Sequence, residues 1–156
     1  MRPPFLLSAV DLSLTASDGE RATLTAEETF AASGGATSVL LLDLYDVILR
    51  PTRVGAFERK RVRLTGVFDE AGRPLEFDHR NDAVAVALPA PLLPGKPSKV
   101  RFEVEGDLLF RPRGDNYWQL GTEPWFPQPD MGGQYYTVHS TVKVKKPFRP
   151  IVPGTT

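Results

Sequence analysis

Apolar and polar residues alternate with a period of two along most of this chain. Val10, Leu12 and Leu14 are separated by Asp11 and Ser13, and Ala22, Leu24 and Ala26 by Thr23 and Thr25, in a run that reaches Phe30. The pattern returns at Val62, Leu64 and Phe68 among Arg61, Arg63 and Thr65. It returns again at Val84, Val86 and Leu88 among alanines, and at Val100, Phe102 and Val104 among Arg101, Glu103 and Glu105. A last run sets Tyr136, Val138, Val142 and Val144 against Thr137, His139, Thr141, Lys143 and Lys145. Successive side chains of a strand point to opposite faces, so each run puts one face on a core and the other in water. The last run is therefore expected to bury Tyr136, Val138, Val142 and Val144. Val39 to Leu44 is apolar except for Asp43 and reads as a strand covered on both faces or a central strand, continued after a bend by Tyr45 to Leu49.

No stretch carries a helical stripe, and Thr23, Thr25 and Thr29 favour strand over residues 24–31. Gly34-Gly35 and Asp69-Glu70-Ala71-Gly72-Arg73-Pro74 are turn signals between runs. Short strands punctuated in this way predict an all-β chain, an antiparallel β-sandwich of about eight or more strands. The four prolines of residues 89–97 predict a connection outside the sheets. Residues 111–134 read as one long loop, and residues 1–7 and 147–156 as extended tails of a single domain spanning 1–156.

The 156 residues suffice for one domain with its own core. Nineteen basic residues balance nineteen acidic ones, which removes the electrostatic footprint of a nucleic-acid binder. The absence of cysteine excludes disulfides and thiolate chemistry. No apolar run reaches the roughly 20 residues of a membrane-spanning helix. The patch near Met1 is too short for a signal peptide and is broken at Asp11. These features suit a soluble chain and leave its compartment unknown.

Motifs for catalysis are missing. The two histidines, His79 and His139, lie outside any H-E-x-x-H pattern, and His139 falls on the polar phase of the last run, as a solvated residue. There is no G-x-S-x-G elbow and no phosphate-binding glycine loop. The chain reads as a non-enzyme without a cofactor of its own.

One stretch stands apart. Both tryptophans and three of the four tyrosines fall between Tyr117 and Tyr136. Its candidate interface or binding residues are Tyr117, Trp118, Glu123, Trp125, Phe126, Asp130 and Tyr135. Three readings are open: aromatics that pin a loop to the core, a docking surface for another domain, or a stacking platform for a flat ligand such as a sugar.

The order of short motifs resembles a known domain. The Gly72-Arg73-Pro74-Leu75 turn is followed by Leu88-Pro89-Ala90-Pro91-Leu92-Leu93-Pro94-Gly95, and then by a strand ending in Glu105-Gly106. Trp125-Phe126-Pro127 precedes Asp130, and Tyr136-Thr137-Val138-His139-Ser140-Thr141-Val142 leads to Lys146-Pro147. This succession is similar to the N-terminal β-sandwich of the aminopeptidase N family of zinc metallopeptidases, over roughly residues 8–154. The family's H-E-x-x-H and G-x-M-E-N motifs are absent, and Glu123-Pro124 is a fragment of its E-P-T-x-A-R element.

The resemblance implies a piece of a longer protein. Such a module would be structural, packing beside a metallopeptidase domain and helping to wall the entrance to its active site. Zinc would then belong to that domain. Weak self-association through an exposed aromatic loop is a further expectation. The alternative is an independent module that binds carbohydrate or peptide through residues 117–136.

Overall fold

The period-two runs become strands because β-branched and aromatic residues pack well on a pleated, half-buried surface. In the computed structural model, which describes residues 4–16, 19–51, 57–111, 117–120, 124–129 and 135–151, they are β1 (Phe5–Ala16), β2 (Ala22–Ala32), β3 (Thr37–Asp43), β4 (Val47–Pro51), β5 (Phe57–Asp69) and β6 (Phe77–Arg80). Then follow β7 (Ala83–Leu92), β8 (Ser98–Gly106), β9 (Leu109–Phe110), β10 (Gln119–Leu120) and β11 (Thr137–Lys143). No helix occurs among the described residues. None is therefore long and apolar enough to cross a membrane.

Six strands form one sheet, in the order β11-β1-β2-β8-β5-β4. Three form a second, β3-β7-β6, and β9 pairs with β10 in a short ribbon. The sheets sandwich a single core. Val10, Leu24, Phe30, Phe102 and Val104 of the large sheet meet Leu40, Leu42, Val84 and Val86 of the small one in one buried cluster. All pairs are antiparallel except β1 with β11, where Val10 lies beside Val138.

Turn chemistry follows the sequence. Asp69 accepts hydrogen bonds from the Ala71 and Arg73 amides at 3.0 and 2.8 Å, and Gly72 takes φ 78°. The Arg73 amide, and then the Arg73 guanidinium, hold the Asp69 carboxyl below the usual carboxylate range against its partial desolvation. Asn81 and Asp82, both with positive φ, close the hairpin from β6 to β7, as two-residue hairpin turns require.

Five sequence expectations are corrected. Val39 to Leu44 is neither covered on both faces nor central: Leu40 and Leu42 are buried on the core face, Val39 and Leu41 are exposed on the other face, and β3 lies at the end of its sheet. Residues 89–92 stay within β7. Their prolines fall where the β3–β7 register shifts between Thr37 and Val39, which leaves Leu88 to Pro91 without partners in the β3 register. Phe5 to Leu7 are no tail; they open β1, with Phe5 and Leu7 buried.

Phe68 falls out of phase with Leu64, since a bulge between Leu64 and Gly66 turns Val67 inward instead. Finally, β11 buries little. Val138 is 47% exposed and Tyr136 and Val142 are half-buried. Three strands cannot cover the full width of six, and β11 is the outermost strand on its side.

Candidate functional site

The described residues of the aromatic stretch form a strap anchored at several points. At its start, Gln119 and Leu120 pair with Phe110 and Leu109. The Leu109 amide donates to the Glu20 carbonyl at 3.0 Å, and the Arg50 guanidinium stacks 4.4 Å above the Phe110 ring. Trp118 packs half-buried against the core, with its indole edge over Gly19. Nearby, Lys60 bridges Glu20 and Glu58. Burial pulls the Lys60 ammonium down, but hydrogen bonds to the two carboxylates outweigh it and raise it.

At its centre, Trp125 meets Phe126 edge to face, with ring centroids 4.9 Å apart and planes at 72°. Phe126, Pro127, Gln128 and Pro129 are buried. Gln128 exchanges both backbone hydrogen bonds with Asp43, at 2.6 and 3.0 Å, and so ties the strap to the end of β3. Farther on, the Tyr136 hydroxyl donates to Gln128 Oε1 at 3.4 Å.

Sequence reasoning missed the importance of one residue in the large sheet. Glu28 of β2 is fully buried, and neither carboxylate oxygen has a hydrogen-bond partner among the described residues. Burial pushes its carboxyl well above the ordinary range. Burial, and then the neighbouring Glu28, raise the Tyr136 hydroxyl. A glutamate on the apolar phase between Ala26 and Phe30 was the available signal.

The candidate residues thus divide. Trp118, Trp125 and Phe126 turn inward and brace the strap, whereas Tyr117 and Tyr135 are 50% and 97% exposed. Glu123 and Asp130 lie outside the described residues. His139 is exposed, with Nδ1 3.1 Å from Asp11 Oδ1, on the solvated face where the sequence put it. No three metal-ligating side chains converge among the described residues, so no zinc set is assembled there.

This architecture is that of an all-β sandwich crossed by an aromatic strap, and its fold is shared with zinc metallopeptidases. An M1 zinc metallopeptidase from Deinococcus radiodurans superposes with TM-score 0.68 at 20% identity, over 93% of this chain and 33% of that one. A mutant from the same organism, bound to a Tyr-Ser-Ala substrate, matches with TM-score 0.68 at 20% identity over 90% and 33%. A two-domain M1 zinc metallopeptidase mutant bound to L-tryptophan matches with TM-score 0.66 at 19% identity over 92% and 33%. The chain therefore spans about one third of the length of the structures it matches. No protein-family model matches the sequence, and no curated protein does. The fold expected from the motif order is the fold observed.

Proposed function

We propose that this chain is a non-catalytic N-terminal module of an aminopeptidase-like protein, seated beside a metallopeptidase domain and forming part of the wall of its active-site entrance. The observation that carries this reading is the coverage: nearly all of this chain matches only 33% of zinc metallopeptidase chains. The strap supports it. Trp118, Trp125, Phe126 and Gln128 pack on or bond to the sandwich, while Tyr117 and Tyr135 are exposed. Tyrosine combines an apolar ring with a polar tip, which suits a partly wet domain boundary. Glu123 and Asp130 would add carboxylates to that wall. Zinc would be held by the neighbouring domain.

The alternative, a sugar or peptide module working alone, asks the tryptophans to form an open platform, and both are packed on the core. The reading frame that encodes this chain provides the test. Continuation into a domain with an H-E-x-x-H helix is the expected result. A frame that ends at Thr156, or that runs into an unrelated domain, overturns the proposal.

A further inference from the structure

The sandwich has two outer faces, and they differ. On the large sheet, Asp11, Glu27 and Arg101 lie side by side across β1, β2 and β8, and Thr15, Thr23 and Glu105 form a second such row. That face is polar. On the small sheet, Val39 lies beside Ala87 and Leu41 beside Ala85, across β3 and β7. Their side chains point away from the core, since the alternate residues Leu40, Leu42, Val84 and Val86 are buried in it. Leu41 is 63% and Val39 46% exposed, and Ala83 and Ala87 are exposed with them. Among the described residues, charge enters this face only at its border. Asp43 stands at the end of β3, and Asp78 and Arg80 on β6 pair with each other at 2.8 Å.

The sequence of this sheet fits two covering layers. Val39-Leu40-Leu41-Leu42 and Ala83-Val84-Ala85-Val86-Ala87-Leu88 are apolar on both phases, the pattern of strands buried on both sides. Within this chain only one of those sides is covered. The alanines of β7 form a shallow floor between the ridge of Val39 and Leu41 and the Asp78–Arg80 pair, which lets another layer approach closely. An apolar patch with a polar rim of this kind marks a contact surface.

We propose that the outer face of the small sheet seats the rest of the polypeptide, so that β3-β7-β6 is a middle layer with this chain's core on one side and the neighbouring domain on the other. The proposal rests on the reading that this chain is part of a longer protein, and it names the surface through which that protein holds together. Two observations choose the occupant. The zinc metallopeptidase chains that share this fold have about two thirds of their length outside the match. The face also adjoins the strap, because the Asp43–Gln128 hydrogen bonds tie the end of β3 to it. The surface that meets Leu41 is apolar, since a charge buried there would find no partner.

The test uses the protein as its reading frame encodes it and exploits the lack of cysteine in this chain. Leu41→Cys and Ala87→Cys place a thiol on the apolar face, and Thr23→Cys places one at an exposed position on the outer face of the large sheet. Alkylation by a water-soluble maleimide is followed at each position by peptide mass spectrometry. The thiols at 41 and 87 should react at least about tenfold more slowly than the thiol at 23, because the reagent must wait for the layers to part. Ala87→Cys adds little volume and decides the matter alone if Leu41→Cys fails to fold. Equal rates at all three positions overturn the proposal, and so does protection that disappears on dilution, which belongs to a second copy. The two readings fail separately. A frame that continues into an H-E-x-x-H domain while positions 41 and 87 react freely sinks the docking face alone. A frame that runs into an unrelated domain while both positions are protected sinks the metallopeptidase reading alone. A frame that ends at Thr156 sinks both.

Discussion

Glu28 is the most consequential single residue. A buried carboxyl without a partner keeps its proton in the folded chain and releases it in the unfolded one. Its folded pKa is raised, so its effect on stability is favourable below the ordinary glutamate value and is lost as pH rises toward the raised value. Over that window stability should fall by about 1.4 kcal/mol per pH unit for the one proton. Urea melts across pH should show this slope in the parent and not in Glu28→Gln. Glu28→Leu should be more stable than the parent at neutral pH by about 1–3 kcal/mol, because an unsatisfied buried group is replaced by an apolar one of similar size. Gly106 is a second constrained position. Its φ is 150°, and an added Cβ would collide with the Arg61 carbonyl and Val62. Gly106 pairs with both Ala22 and Val62, so it cannot move without breaking one ladder. Gly106→Ala should cost on the order of 2–4 kcal/mol in a denaturant titration.

Among the elements, position in the sheet matters more than composition. Val10 and Val142 both sit on apolar phases of strands in the same sheet, yet Val10 is buried and Val142 is half-buried. An aspartate at Val10 would bury a charge, and Val10→Asp should cost about 3–5 kcal/mol. Val142→Asp can turn its carboxylate to water and should cost about 1 kcal/mol. Equal losses in thermal melts would show that β11 is covered after all. β3 teaches the same lesson in reverse: its apolar run suggested a central strand, but the covering layer ends at its inner face.

The whole molecule is one core closed by one strap. Strand residues of both sheets belong to a single buried cluster, and Phe126 joins it from the strap. Unfolding should therefore be cooperative. Tryptophan fluorescence, which reports the strap through Trp118 and Trp125, and far-ultraviolet circular dichroism, which reports the sheets, should give coincident thermal transitions. A fluorescence transition well below the dichroism transition would mean that the strap detaches before the sandwich opens. Phe126→Ala, which empties a buried ring site under the strap, should cost about 3–5 kcal/mol and leave the order of the strands unchanged.

The sequence by itself determined the strand periods, the Asp69–Arg73 turn and the inward set of Val10, Leu24, Phe102, Val84 and Val86, because these depend on neighbours along the chain. It also marked residues 117–136 as unusual, through the crowding of aromatic side chains. Only the tertiary structure decided which apolar faces have a covering layer, where the bulges after Leu64 and near Val39 change the phase, and which aromatics turn inward. Those outcomes depend on contacts between residues far apart in sequence, such as Asp43 with Gln128 and Leu109 with Glu20. Burial belongs to the packing of one sheet on another, and a period of two cannot say whether a second sheet is there.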